Sequence, residues 1–357
     1  MAAVVLVGTR KGLFVGRSDD RERWDWDPLA FSMEEVYSVG VSPHGSPPRL
    51  FVGTTSWPFG PRLMRSDDLG ASWQEPKRAF GFPPGSGAIV ERIWQVQASP
   101  VDPDVVWAGT QPSALFRSGD GGETFDLVQA LWDHPHRADW EPGAGGQAIH
   151  TILPHPTDPD VVTVAMSTGG VYRTEDGGAS WNPRNHGIAV PFMPGETPEY
   201  GQCVHKVAVD AGGPDRMYAQ NHGGVYRTDD AGRSWARISE PLPAEFGFPV
   251  LAHPRRPGTA YVFPLSADIE RFPPGARPSV WRTEDAGDTW HELHAGLPDE
   301  AYTVVLRDAL CHDGADPLGL YVGTRHGAVW SSTDEGESWH EIRANLPEVV
   351  CVRALTF

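Results

Sequence analysis

Short apolar runs rich in Val, Tyr and Trp recur along the whole chain, and Gly, Pro, Asp or Asn breaks each one. LFVGT (50–54), VVWAGT (105–110), VVTVAM (161–166), MYAQN (217–221) and LYVGT (320–324) form one set. Each is followed by a second run, such as GGVYRT (169–174), GGVYRT (223–228) or GAVWSS (327–332). Each is preceded by a third, such as VYSVGVSP (36–43), WQVQASP (94–100) or HTILPHP (150–156), across turns such as SPVDPD (99–104), HPTDPD (155–160) and HPRRPG (253–258). Runs of this length and composition between turn residues predict β-strands.

An octapeptide follows the last run of each unit: SDDLGASW at 66–73, SGDGGETF at 118–125, TEDGGASW at 174–181, TDDAGRSW at 228–235, TEDAGDTW at 283–290 and STDEGESW at 332–339. All obey [S/T]-x-D-x-G-x-[S/T]-[W/F], and SDDRERW at 18–24 is a degenerate copy. The carboxylate can take backbone N–H bonds inside a tight turn, the glycine can adopt positive φ, and the aromatic residue carries a large buried area. A fourth strand opens at that aromatic residue. Repeats of four strands and about 50 residues predict the blades of a β-propeller. The N-terminus supplies three strands within 3–29 and the C-terminus one orphan, CVRALTF at 351–357. Joined, they complete a blade. The expectation is an all-β, single-domain, seven-bladed propeller spanning 1–357.

Composition narrows the classes of function. With 34 Pro and 40 Gly in 357 residues the chain is too turn-rich for a helical bundle. Its 47 acidic against 29 basic residues give −18, which argues against nucleic-acid binding. Three cysteines do not make a disulfide framework. The opening MAAVVLVGTRKG makes a poor signal peptide, and no apolar stretch approaches a membrane span, so a cytoplasmic location with no membrane partner is expected.

The octapeptides resemble the Asp-box (BNR) repeat of the sialidase- and glycosyl-hydrolase-like propellers, a group that includes xyloglucan-cleaving enzymes, the sortilin ectodomain and a plastid photosystem assembly factor. The resemblance covers the whole chain. It implies that the boxes lie on the turns between third and fourth strands, opposite the ligand site, so Asp67, Asp120, Asp176, Asp230, Asp285 and Asp334 read as structural. ERIW (91–94) lacks the proline and the preceding aromatic residue of the sialidase F/Y-R-I-P motif, and sialidases normally have six blades. Both argue against sialidase activity.

Aligned first strands place Tyr37, Trp94, His150, His205, Phe248, Tyr302 and Cys351 at equivalent positions at the channel mouth. Three residues before each stands an acid or amide: Glu34, Glu91, Gln147, Gln202, Glu245, Asp299 and Glu348. As a set, these read as acceptors that tie down the loop entering each strand. Gln147-x-x-His150 and Gln202-x-x-His205 stand out on successive blades. Two imidazoles with Glu91 as third ligand would make an open divalent-metal site. Without metal the same residues could work as acid and base, or the histidines could simply pack in the core. Insertions at 131–147, which carries Trp140, at 185–200 and at 263–279 would wall this site. Arg325 and other turn cations face the same side. The candidate catalytic set is His150, His205 and Glu91. Trp94, Gln147, Gln202, Tyr37, Tyr302, Trp140 and Arg325 are candidates for ligand binding. The sequence therefore points to a hydrolase or lyase acting on a small polar molecule or glycan. The alternative is a non-catalytic scaffold that binds a protein partner.

Overall fold

The computed structural model describes residues 2–78, 80–143, 145–190, 197–267 and 269–357. Seven antiparallel sheets form the blades of a β-propeller, six of them four-stranded and one three-stranded. Helix among the described residues is confined to Gln129–Trp132 and to two 3₁₀ segments, Pro135–Asp139 and Pro274–Ala276.

Closure follows the expected route. In the first blade Val349–Thr356 pairs with Ala3–Thr9, which pairs with Gly12–Ser18 and then Asp25–Trp26. The register runs from Ala3↔Thr356 to Val7↔Val352, so terminal residues zip side by side. The second blade departs from the repeat. It has the strands Glu35–Val41, Leu50–Ser56 and Gly60–Ser66, and its fourth strand shrinks to a bridge between Arg65 and Gln74. Its box lies between the two bridge residues, so the turn persists although the outer strand does not.

The chain divides into two compact units. One comprises residues 1–33, 187–191 and 205–357, the other residues 34–186 and 192–204. In the second unit the first strands of successive blades, Glu35–Val41, Arg92–Ala98 and Ile149–Pro154, lie against one another. This close approach requires glycine: a Cβ on Gly40 would collide with the Val96 carbonyl.

Each box holds its own turn. In TEDGGASW, Thr174 Oγ1 donates to Asp176 Oδ1 at 2.8 Å and accepts the Gly178 N–H at 2.9 Å. Asp176 Oδ1 accepts the Ser180 N–H at 2.9 Å, while Oδ2 accepts the Ser180 hydroxyl at 2.5 Å. Gly178 sits at φ +95°, where a side chain would be strained. Trp181, Trp235, Trp290 and Trp339 are buried. The Ser180 hydroxyl, the Ser180 N–H and the Thr174 hydroxyl together lower the Asp176 carboxyl to about 2. The same bonds recur at Asp120, Asp230, Asp285 and Asp334. In SDDLGASW the sequence expectation is displaced by one residue. Asp68 bonds Ser66 and Ser72, whereas Asp67 pairs with Arg49. The third position of the octapeptide, not the second, points into the turn.

Candidate functional site

In an up-and-down blade, the turn between third and fourth strands lies at the same end as the turn between the first and second. The start of the first strand and the turn between second and third strands lie at the other end. The boxes therefore leave one end of every blade to non-repeating side chains.

In the second unit this end gathers aromatic and charged groups from two blades. Tyr37 and Trp94 meet edge to face with centroids 5.2 Å apart, and Arg92 lies over the Tyr37 ring at 4.1 Å. Gln111, at the end of the strand Val106–Gln111, ties the group together. Its Oε1 accepts from Trp94 Nε1 at 3.1 Å and Arg92 Nη1 at 3.3 Å, and its Nε2 donates to Glu91 Oε2 at 2.7 Å. Indole and guanidinium groups only donate and an ionised carboxylate only accepts, so this amide has one workable orientation. Arg92 also reaches Glu35 at 3.3 Å. The structure thus joins Tyr37, Trp94 and Glu91. Sequence reasoning missed Arg92, Gln111 and Glu35, which connect them.

Tyr37, Trp94 and His150 share a further property. Each falls where the pairing of its first strand slips by one residue, between Val36 and Ser38, Ile93 and Gln95, and Ile149 and Thr151. They are the extra residues of β-bulges, which re-aim a side chain out of the ladder. The alignment of these positions in the sequence was the trace of a repeated bulge.

The glutamines of the two Gln-x-x-His segments serve the backbone. Gln147 Oε1 accepts the Ser113 N–H at 2.9 Å, and Gln202 Nε2 donates to the Pro198 carbonyl at 2.6 Å. His150 is 0 % exposed, with Nδ1 3.2 Å from Thr151 Oγ1. Among the described residues, neither His150 nor Glu91 joins a group of three ligand atoms at metal-binding spacing. Trp140 is buried and donates to Tyr172 Oη at 3.2 Å, so it packs the insertion 131–147 against its blade. Part of the other expected walls, residues 191–196 of 185–200, Ala144 of 131–147 and Asp268 of 263–279, lies outside the described residues.

In the first unit His205 is 1 % exposed, between Phe248, stacked at 4.8 Å, and Phe246 at 5.3 Å. Its Nδ1 lies 2.5 Å from the Gly247 carbonyl, which can only accept, so Nδ1 carries the proton and Nε2 the lone pair. Burial holds the imidazole well below its ordinary pKa, and Arg307, His222 and Arg271 push in the same direction. His222 is its ring neighbour at 4.7 Å, and both belong to the group of potential metal ligands that does form. Cys351 is buried within the closing strand, which pushes its thiol up to about 12. Arg325 pairs with Glu348 at 2.6 Å. Tyr302 is 61 % exposed and precedes the first strand of its blade, which is shorter than the repeat suggested: Leu310–His312.

No family model matches the chain. A xyloglucanase of Hypocrea jecorina is 26 % identical over 295 residues, covering 70 % of this chain and 31 % of that protein. Among solved structures, an ancestral GH74 enzyme is similar with a TM-score of 0.59 at 17 % identity, over 87 % of this chain and 38 % of the other. YCF48 bound to D1 peptide is similar with a TM-score of 0.55 at 14 % identity, over 86 % and 81 % of the two chains. The chain spans less than half the length of each curated relative it matches. The sequence is therefore similar to part of several xyloglucanases, and the solved structures share the propeller fold.

Proposed function

We propose that this chain binds and hydrolyses a glycan at the blade ends opposite the boxes. The observation that carries the reading is the platform of Tyr37, Arg92 and Trp94 with Glu91 and Glu35 beside it. Aromatic faces accept the apolar C–H face of a sugar ring, while carboxylates and guanidinium groups bind its hydroxyls. Glycoside hydrolysis runs on carboxylates, one of which must exchange a proton with the glycosidic oxygen. Glu91 fits that role because it is exposed and positioned by the Gln111 amide. The sequence similarity to xyloglucanases supports the same substrate class.

The two histidines divide in this proposal. His150 supports its blade. His205, neutral with Nε2 as lone-pair donor and His222 beside it, is the residue to test for a divalent metal by elemental analysis of the purified protein. The enclosure of both histidines favours a second reading, a non-catalytic scaffold with a protein partner. Release of reducing ends from xyloglucan oligosaccharides separates the two. Turnover that falls at least a hundredfold in Glu91→Gln, with binding retained, supports the enzyme. Absence of hydrolysis across a broad glycan panel supports the scaffold.

A further inference from the structure

In a chain of net charge −18, the first unit collects cations at the blade ends opposite the boxes. Chain order puts them there. His205 stands at the start of the strand Val204–Val209, and Phe246 and Phe248 at the start of Phe246–Ala252. His222 lies in the turn between Met217–Asn221 and Gly224–Thr228, and Arg271 in the insertion between Ala260–Leu265 and Val280–Thr283. The guanidinium carbons of Arg271 and Arg307 each lie 5.6 Å from the centre of the Phe248 ring, and Arg271 also reaches Phe246 at 5.8 Å. His205 stacks on the same Phe248 ring at 4.8 Å. One aromatic ring thus holds two guanidinium groups and an imidazole together.

The residue after Arg307 is a carboxylate already in use. Asp308 takes Lys206 Nζ at 2.6 Å and Arg353 Nη2 at 3.6 Å, and its backbone carbonyl accepts the Val352 N–H at 2.7 Å. A single carboxylate shared by two cations leaves positive charge over, and the titrating groups register it. Burial is the largest cause at His205, and Arg307, His222 and Arg271 then push the imidazole further towards its neutral form. Burial also leads at Lys206, where Arg353 and Arg307 oppose the support of Asp308. Like charges held this close repel, and a positive cluster on a half-buried surface draws in anions whatever the net charge of the chain. Arg271, Arg307 and Lys206 are all half-buried, so each retains contact with solvent.

We propose that Arg271 and Arg307 bind a phosphate group beside the Phe248 ring, an activity that goes beyond the glycan reading and does not depend on it. Contact with an aromatic ring orients a guanidinium without consuming its N–H donors, which leaves each fork able to serve a ligand oxygen. The two forks come from separate segments, an insertion and the entry to a first strand. A tetrahedral oxyanion has oxygens for both, whereas a carboxylate presents one planar edge that suits a single fork. Charge selects in the same direction. Lys206 and Arg353 share one carboxylate, and Arg271 and Arg307 add two further cations, so a dianion answers the field better than a monoanion. An organic cation would be repelled, and a neutral sugar would leave the charge in place.

The test is calorimetry on the full chain in a low-salt, phosphate-free buffer containing EDTA, which excludes phosphate bridged by a metal. Inorganic phosphate, methyl phosphate and acetate are titrated at matched ionic strength. Wild type should bind a phosphate probe saturably and acetate at least tenfold more weakly. Tighter binding of methyl phosphate assigns the ligand as a phosphorylated molecule, and tighter binding of inorganic phosphate assigns it as the free ion; either supports the site. Arg271→Gln and Arg307→Gln should each lower phosphate affinity at least tenfold, with the melting temperature in the absence of phosphate as the check on folding. Arg277→Gln, in the same insertion but paired with Glu292 at 3.2 Å, should stay within twofold of wild type. The proposal is overturned if neither phosphate probe binds saturably, if acetate binds as tightly, if both Arg271→Gln and Arg307→Gln bind like wild type, or if Arg277→Gln loses as much as they do.

Discussion

Removing residues 351–357 tests whether the ends of the chain hold the first blade together. Cys351, Val352, Ala354 and Leu355 are all buried, and the strand pairs along the whole of Ala3–Thr9. Taking about 1.5–3 kcal/mol for each large aliphatic side chain and less for the smaller two gives roughly 5–8 kcal/mol from burial. Ala3–Thr9, buried throughout, would also become an exposed apolar edge. A domain is stable by about 5–15 kcal/mol, so the truncation consumes most of that margin. Urea unfolding followed by tryptophan fluorescence should show a much lower midpoint or no cooperative transition. Val352→Ala serves as a graded control with an expected loss of about 2 kcal/mol. A truncated protein with the midpoint of the full chain would refute the closure argument.

Three further outcomes follow from the same structure. The box carboxyls of Asp68, Asp120, Asp176 and Asp285 are held at about 2, against 3.8 when free. The unfolded chain therefore takes up protons first as pH falls, so the boxes stabilise fully above about 4 and lose this contribution between about 4 and 2. Melting temperatures measured from pH 5 to 2 should drop across that window, and Asp176→Asn should flatten the drop. Burial lowers His312 from 6.5 to about 4, so stability should fall as pH decreases from 6.5 towards 4, and His312→Phe should reduce that slope without abolishing it, because His205 is lowered in the same direction. His150→Phe should leave glycan binding within twofold in calorimetry, because the imidazole is enclosed and works for its blade.

The fold was legible because each box contains its own explanation. Eight consecutive residues supply the hydroxyl, carboxylate, glycine and aromatic ring of one turn, and a single backbone bond, such as that from the Gly177 N–H to the Asp160 carbonyl at 2.9 Å, ties it to the link between the first two strands. The orphan strand 351–357 was legible for the same local reason. The site was less so, because the fate of a histidine is decided by other strands. Nothing in QCVH announces that Phe246 and Phe248 will enclose His205, or that the Gly247 carbonyl will fix its tautomer. The bulges at Tyr37, Trp94 and His150 left a visible alignment, but their side chains met different ends: two on an open platform, one sealed in a blade. Gln111 gave no sequence signal at all. It is a strand-end amide that matters only through the Trp94, Arg92 and Glu91 side chains around it.

The claim that this chain binds glycan on the platform of Tyr37, Arg92 and Trp94 is tested most directly by calorimetric titration of xyloglucan oligosaccharides into wild type and Trp94→Ala. Trp94 is half-buried on the surface of its blade, so the variant should remain folded, with its melting temperature as the check. The account predicts saturable binding by wild type and at least a tenfold loss in the variant. Equal binding by the two proteins, or no binding by wild type, would contradict it.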